Sequence, residues 1–223
     1  MSHTALRQER CIETELDALF SYRVLKRTLD FALAIVIMPL IAPLLLCIAI
    51  AVRVGSPGPI FFGHARHRDR DTLFVVWKFR TMHENSATIL QNYLNTHPEA
   101  KHEWTISHKL KNDPRVTPIG HFLRRTSLDE LPQIWNVLLG TMSFVGPRPI
   151  TTAEIERYGD NFVSYCKVKP GITGLWQTSG RNATTYQERV LLDARYASNW
   201  SLWMDLRILL RTFRAVWQGH GAY

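Results

Sequence analysis

The sequence predicts a mainly helical α+β fold attached to a membrane, and three features indicate it. A run of 22 residues without a charge, 31–52, is long enough to enter a bilayer. Residues 72–82 alternate between two faces as a β-strand does. The remaining stretches are mostly helical in pattern, and the last of them, 202–217, is a basic amphipathic helix. With 223 residues, of which 46% are hydrophobic, the chain can bury the core of one domain.

The apolar run FALAIVIMPLIAPLLLCIAIAV would reach roughly 33 Å as one continuous helix. Pro39 and Pro43 lie near its middle, and each removes a backbone donor. A kinked transmembrane helix and a re-entrant hairpin both fit this pattern. Basic residues flank the run on both sides, as expected if both of its ends face the same compartment: Lys26 and Arg27 before it, and Arg53, Arg66, Arg68 and Arg70 after it.

Behind this segment, the turn-rich residues 55–63 and the alternating residues 72–82 predict a small β-hairpin. Helices are predicted over 86–111, about 130–139 and 184–198. In 202–217 the leucines share one arc and the arginines another, which is typical of an interfacial helix or of an ordinary core-packing one. We therefore divide the chain into an N-terminal tail, 1–22, a membrane segment, 23–55, and a membrane-seated domain on its cytosolic side, 56–223.

The charge balance indicates the chemistry of the partners. Lysine and arginine number 27 against 19 acidic residues, a net charge of +8, which favours phosphate-bearing partners: nucleotides, nucleic acid or an anionic membrane. The three cysteines have no zinc-binding spacing. The sequence also contains no phosphate-binding P-loop and no nucleophile elbow.

The string RRTSLDELPQIWNVLLG, 124–140, holds the strongest candidate for catalysis. Structurally, Ser127 and Glu130 have the spacing of a capping box, and Asp129 and Glu130 would suit the positive end of a helix. Chemically, the same helix start and nearby cations would keep Asp129 ionised as a nucleophile while Glu130 holds a divalent ion. Gly140 is expected to end the helix.

A second candidate is GPRP, residues 146–149. The two prolines restrict the backbone, and Gly146 allows another segment or a ligand to come close to it. The guanidinium of Arg148 is therefore carried by a rigid loop and suited to a two-pronged phosphate contact. A turn with an exposed arginine is the structural alternative. Lys78, Arg80 and Arg181 add further cations, whose alternative role is ordinary surface charge.

A weaker candidate is Asp69-Arg70-Asp71, the DxD pattern with which some glycosyltransferases bind a metal and a nucleotide. Three residues in a charged loop often match this pattern by chance. A non-enzymatic alternative is a membrane-anchored basic scaffold, for which the basic segments would be only a charged surface.

Several motifs occur in order from about residue 26 to the C-terminus. They are KRTLDFALA (26–34), the proline-broken apolar run, KFRTM (78–82), DPRVTPIG (113–120), LRRTSLDELPQ (123–133), GPRP (146–149), KPGITGLWQTSGRN (169–182) and NWSLWMDLRIL (199–209). Together they resemble the monotopic phosphoglycosyl transferases, which are bacterial sugar transferases, and in particular the short form that initiates exopolysaccharide synthesis.

The resemblance implies transfer of galactose 1-phosphate or glucose 1-phosphate from a UDP-sugar to undecaprenyl phosphate, with release of UMP. It implies Asp129 as nucleophile and Glu130, with Asp129, as the Mg²⁺ site. It further implies that Arg148 binds the nucleotide and Arg181 a phosphate. Lys78, Arg80, Arg124 and Asp193 are expected in the substrate site, without individual roles.

The resemblance also implies a re-entrant membrane segment in the bacterial inner membrane, with the catalytic domain facing the cytoplasm. The expected partners are the UDP-sugar, undecaprenyl phosphate and membrane lipid, but not nucleic acid, and a homo-oligomer and downstream glycosyltransferases are further candidates. One departure from the family pattern is HRDRD, 67–71, where relatives commonly have a glycine-containing turn.

Overall fold

A computed structural model describes residues 3–107, 110–180 and 184–217. In this part of the chain the fold is mainly helical, with two small sheets. The helices are α1 (His3–Gly55), α2 (Ser86–Thr96), α3 (Pro98–Ser107), α4 (Pro118–Thr126), α5 (Gln133–Leu139), α6 (Thr152–Tyr158), α7 (Asn161–Tyr165), α8 (Tyr186–Asn199) and α9 (Leu202–Trp217). The strands are β1 (Phe61–His67), β2 (Leu73–Phe79), β3 (Ser143–Val145) and β4 (Gly171–Thr173).

Helix α1 contains the whole apolar run and continues through Pro39 and Pro43. Its part Arg23–Gly55 is long and apolar enough to cross a membrane, with a mean hydropathy of 2.9 in an 18-residue window of which 11% is buried. Such an exposed apolar helix indicates membrane association. The re-entrant course of this segment stays a prediction.

Two basic side chains just before the apolar run tie α1 to the rest of the chain. Lys26 forms an ion pair of 2.5 Å with Asp205 on α9. Arg27 donates to the carbonyl oxygens of Val137 and Leu138, at 2.5 and 2.8 Å, where α5 ends. A cation is favourable at this end of a helix. The KRTLD segment therefore fixes α1 to α5 and α9.

The predicted hairpin is confirmed: β1 and β2 pair antiparallel, from Phe61 opposite Phe79 to His67 opposite Leu73. Phe74 and Val76 are buried and pack against Ala34 of α1 and Ile134 of α5. Buried Asn136 pairs α5 with the outer edge of β2, because it accepts from the Trp77 N–H and donates to the Val75 carbonyl, at 3.1 and 2.6 Å. This pairing places the start of α5 beside Lys78.

The helix predicted over 86–111 is two helices, because Pro98 interrupts the pattern. Helix α2 ends at Thr96, His97 is extended and Pro98 begins α3. Proline has no N–H and disfavours helical backbone in the residue before it. The predicted helices near 184–198 and 202–217 are confirmed as α8 and α9.

Helix α9 buries Asp205 and Ile208 and leaves large apolar side chains exposed on its other side. These are Trp203, Leu206, Leu210 and Phe213. The arc predicted from the sequence thus faces outward over much of its length, as an interfacial helix requires.

Candidate active site

Asp129 and Glu130 lie in a short 3-10 turn, Leu128–Glu130, between α4 and α5. The predicted capping box is wrong. Ser127 adopts a left-handed conformation, φ 57°, ends α4 and makes no side-chain capping bond, while the Glu130 carboxylate binds Lys78. The tight turn instead presents the two adjacent carboxylates to one side chain on β2.

Lys78 is that side chain. Its ammonium donates to Oε1 of Glu130 at 2.5 Å and lies 3.9 Å from Oδ2 of Asp129. The three side chains keep between 14 and 23% of their surface exposed. They form a partly buried cluster that solvent can reach, in which one ammonium group lies close to two carboxylates.

Arg124 and Arg148 approach the same acidic pair from two other segments. Arg124, in the last turn of α4, donates through Nε to the Thr81 hydroxyl at 2.9 Å. Arg148 lies with Nη1 3.6 Å from Oε1 of Glu130, and its side chain keeps 35% of its surface exposed. An arginine tethered this loosely can turn toward an incoming phosphate.

The pKa of Asp129 is raised above its ordinary value, chiefly because burial disfavours the charged carboxylate. Lys78 and Arg124 oppose this shift, whereas Glu130 adds to it. The cations were expected to keep Asp129 ionised. In the structure the two cations lower the pKa of Asp129 by less than burial raises it.

The GPRP loop, 146–149, is held against the segment 169–173. Gly146 donates to the Thr173 carbonyl at 2.9 Å, and Gly171 donates to the Pro147 carbonyl at 2.8 Å. A Cβ on Gly146 would lie 2.3 Å from the Lys169 carbonyl oxygen. Glycine is thus required here for close backbone approach, as the sequence indicated.

Arg80 and Asp193, both expected in the substrate site, lie inside the protein. Arg80 is 7% exposed, and its guanidinium donates to the carbonyls of Ser56, at 2.7 Å, and Pro57. It therefore holds the turn that follows α1. Asp193 on α8 is 0% exposed. Arg181 lies outside the described residues.

The structure also reveals site-supporting residues that the sequence did not indicate. Glu154 on α6 accepts from Arg189 of α8 at 3.0 Å and lies 3.6 Å from Arg66 of β1. Tyr158 donates to Asp193 at 2.7 Å. Glu154, Tyr158 and Arg189 belong to no short motif, and no local pattern in the sequence indicates that they lie together.

The acidic pattern 69–71 has a structural role. Oδ1 of Asp69 accepts the backbone N–H groups of Asp71 and Thr72, at 3.1 and 2.8 Å. The side chain thereby closes the β1–β2 turn, as aspartate commonly does. This explains how the hairpin turns without a glycine between β1 and β2.

The donor set of the acidic pair fits Mg²⁺ only together with a ligand phosphate. Among the residues that the structure describes, no group of three or more histidine, cysteine or acidic side chains could hold a metal. Asp129 and Glu130 supply two carboxylates, and Mg²⁺ is commonly bound by one or two carboxylates, waters and substrate phosphates.

An apolar cavity of about 440 Å³ lies between α1, the hairpin and the start of α5. Its lining is almost entirely hydrophobic or aromatic, and one lining residue, Pro132, is only two positions after Glu130 in the chain. The lining residues are Met38, Leu45, Phe61, Trp77, Pro132, Ile134 and Trp135. We call it the α1–α5 cavity.

The site is an acidic pair with three cations close to it, and it is packed against an apolar helix. Such a site suits a protein that binds a charged phosphate compound at a membrane. The bacterial sugar transferase family model matches residues 21–219. The chain therefore belongs to this family.

Named relatives are similar over most of the chain. It is 49% identical, over 91% of its length, to the UDP-galactose-lipid carrier transferase of Erwinia amylovora, and 48% identical, over 91%, to the undecaprenyl-phosphate galactose phosphotransferase of Salmonella typhimurium. The chain spans 42% of each of these two proteins. It is 44% identical to the exopolysaccharide production protein ExoY of Rhizobium meliloti, over 89% of this chain and 88% of that protein.

Proposed function

We propose that the protein is a phosphoglycosyl transferase of exopolysaccharide synthesis. It transfers galactose 1-phosphate or glucose 1-phosphate from a UDP-sugar to undecaprenyl phosphate and releases UMP. The relatives named for undecaprenyl phosphate and for galactose support the acceptor and the sugar class. The carrying observation is the acidic pair, Asp129 and Glu130, shared by the Lys78 ammonium.

Asp129 is the proposed nucleophile. In the first step its carboxylate oxygen attacks the phosphorus that bears the sugar, and the bond between that phosphorus and the oxygen of UMP breaks. UMP leaves with the electron pair of that bond. In the second step an oxygen of the lipid phosphate attacks the same phosphorus, the aspartyl–phosphorus bond breaks, and the Asp129 carboxylate is restored.

The cations stabilise the negative charge of the Asp129 carboxylate and of the donor diphosphate during both steps. Lys78 and Arg124 favour the ionised form of Asp129, which is the form that attacks. Arg148 exchanges its 3.6 Å contact with Glu130 for the donor diphosphate, which carries more charge. Asp129 and Glu130 would hold Mg²⁺, which supplies charge neutralisation of the diphosphate when bound.

The acceptor is a lipid, so the site needs an apolar approach beside the charged one. The α1–α5 cavity offers this approach, because its lining is almost wholly apolar and includes Pro132 of the segment that follows the acidic pair. We propose that the prenyl chain nearest the phosphate occupies it. The exposed apolar side chains of α1 and α9 would seat the domain on the cytoplasmic face of the inner membrane.

A panel of UDP-sugars tests the function. Each is mixed with the purified protein, Mg²⁺ and undecaprenyl phosphate, and the nucleotide product is identified. We expect UMP, with UDP-galactose or UDP-glucose as the best donor. Release of UDP would instead identify a conventional metal-dependent glycosyltransferase, and lipid binding without turnover would identify a scaffold.

A further inference from the structure

Helix α9 carries an apolar stripe bordered by arginines on its outer side. The stripe consists of four side chains that are 45–69% exposed: Trp203, Leu206, Leu210 and Phe213. The arginines are exposed as well: Arg207, Arg211 and Arg214. At about 100° per residue, the apolar side chains cover about 80° of the helix surface and the arginines cover about 60° beside them. We call these seven residues the α9 outer face.

The opposite side of α9 is fixed in the protein core, and this determines the direction of the outer face. Ile208 is 1% exposed and packs with Val145 and Tyr196. Asp205 is the only acidic residue in the sequence of α9, and it is buried on the core side. The charges that α9 presents on its outer face are therefore all positive.

Two contacts place α9 at the depth where the apolar run of α1 begins. The Lys26 ammonium pairs with Asp205, in the first turn of α9, at 2.5 Å. The N–H of Phe144, in the strand β3 that packs against α9, donates to Asp30 of α1 at 3.3 Å. The charge-free run 31–52 starts five residues after Lys26, about 7.5 Å of helix, and the headgroup layer of a bilayer is about 5–8 Å thick. Helix α9 therefore lies at the level of the headgroups.

We propose that the α9 outer face binds phospholipids that carry a net negative charge: its apolar side chains enter the membrane surface, and its three arginines contact the headgroup phosphates. The proposal assigns a lipid class to this contact, and it rests on the proposed seating of the domain on a membrane. A guanidinium binds a phosphate through two parallel hydrogen bonds, and basic residues next to a membrane are attracted by anionic lipids. An apolar stripe alone would not distinguish anionic from zwitterionic lipids.

The test measures which lipid lies beside α9 in the whole chain. A fluorophore is attached at Leu210→Cys of an otherwise cysteine-free protein, which is placed in nanodiscs of equal parts phosphatidylcholine and phosphatidylglycerol. Bromine on the acyl chains of one lipid or the other quenches the fluorophore when that lipid is close. We expect phosphatidylglycerol to be enriched about five-fold or more, since a single arginine near an anionic surface contributes about this factor. Added salt should reduce the enrichment.

Replacing the three arginines of the outer face with glutamine should abolish this preference, while both lipids still quench the fluorophore. The arginines are exposed, so the fold should tolerate the change. Lysine at the same three positions keeps the charge and should keep the preference. The matched control removes three exposed cations from other helices, and with them the same net charge, and should also keep it: Lys101→Gln, Arg125→Gln and Arg195→Gln.

Equal quenching by the two lipids in the parent would overturn the inference, and so would a preference that survives in the glutamine variant or disappears in the control. Absence of quenching by either lipid would show that protein, such as a second copy of the chain, covers α9 instead. Undecaprenyl phosphate, added in stoichiometric amount, should leave the quenching unchanged, whereas a loss would assign the outer face to the acceptor lipid and contradict the inference. The quenching does not depend on turnover, so its failure is distinguishable from failure of the proposed transfer reaction.

Discussion

The ammonium of Lys78 lies 2.5 Å from Glu130 and 3.9 Å from Asp129, and so joins the β-hairpin to the turn between α4 and α5. It is partly buried and paired with both carboxylates, and it favours the ionised form of the proposed nucleophile. The strand and the turn are separated by about fifty positions in the chain, 52 between Lys78 and Glu130. The site therefore exists only when the hairpin is packed against α5.

Asp129→Asn should abolish turnover without destabilising the protein. The amide is nearly the same shape but is a poor nucleophile, and it removes a charge that burial disfavours. A radiolabelled UDP-sugar, added without lipid, should label the parent at Asp129 and leave the variant unlabelled. Asp69→Asn is the control, since an amide can still close the β1–β2 turn. Label at another residue, or loss of activity only in the control, would contradict the mechanism.

Lys78→Met should move the acidic limb of the pH–rate profile to higher pH. The nucleophile must be ionised, so activity is lost as pH falls through the raised pKa of Asp129. Lys78 lowers that pKa, and its removal raises it further. The profile of kcat/KM against pH measures the shift. Lys101→Met, at an exposed position of α3, should leave the profile in place, and an unmoved limb in Lys78→Met would show that the ammonium does not tune Asp129.

Arg148→Lys should impair use of the UDP-sugar more than conservation of charge suggests. An ammonium cannot reproduce a planar two-pronged contact, and loss of a charged hydrogen bond costs about 1.5–3 kcal/mol, or roughly 10–150-fold in kcat/KM. Steady-state kinetics with the UDP-sugar varied measure this loss. Arg125→Lys, at an exposed position of α4, is the control. Equal kinetics in the two variants would assign Arg148 to a surface turn.

Trp135→Ala should weaken use of the lipid while sparing the first step. The variant removes one wall of the α1–α5 cavity, and Trp135 is 54% exposed, so the fold should tolerate it. We expect a several-fold higher KM for undecaprenyl phosphate and an unchanged exchange of labelled UMP into UDP-sugar without lipid. Leu191→Ala, at an exposed apolar position of α8 outside the cavity, is the control. A defect in UMP exchange would place Trp135 in the donor site instead.

Replacing Pro39 and Pro43 with leucine should push the apolar segment toward spanning the bilayer. A chain that reverses near Pro39 enters the membrane with only eight residues, 31–38. They form roughly 12 Å of helix, less than half of a bilayer core of about 30 Å, so a reversing segment stays in one leaflet. Without the prolines the helix can continue through the bilayer. Cysteines placed at positions 2 and 86 of an otherwise cysteine-free protein report the topology in intact cells with an impermeant reagent. Both should be shielded in the parent, and position 2 should become accessible in the leucine variant. Labelling of position 2 in the parent would show that the segment is not re-entrant.

Much of the fold follows from local patterns. The alternation of 72–82 predicted β2, Gly140 marked the end of α5 at φ 79°, and the amphipathic pattern of 202–217 predicted α9. Ser127 was misassigned because a capping box and a left-handed helix end can share the same letters. Only the packing of α4 on its neighbours selects the second.

For the candidate site, the sequence by itself determined what is adjacent along the chain. Asp129 is next to Glu130, and the prolines on either side of Arg148 make its backbone rigid. Tertiary structure alone decided that Lys78 meets both acids, that Arg80 turns inward to the backbone at Ser56 and that Asp193 is buried and accepts from Tyr158. Local spacing fixes which face of a helix or strand a side chain occupies. What that face meets depends on contacts between residues far apart in the chain, and hydrophobic packing of α1, α5 and the hairpin brings those residues together.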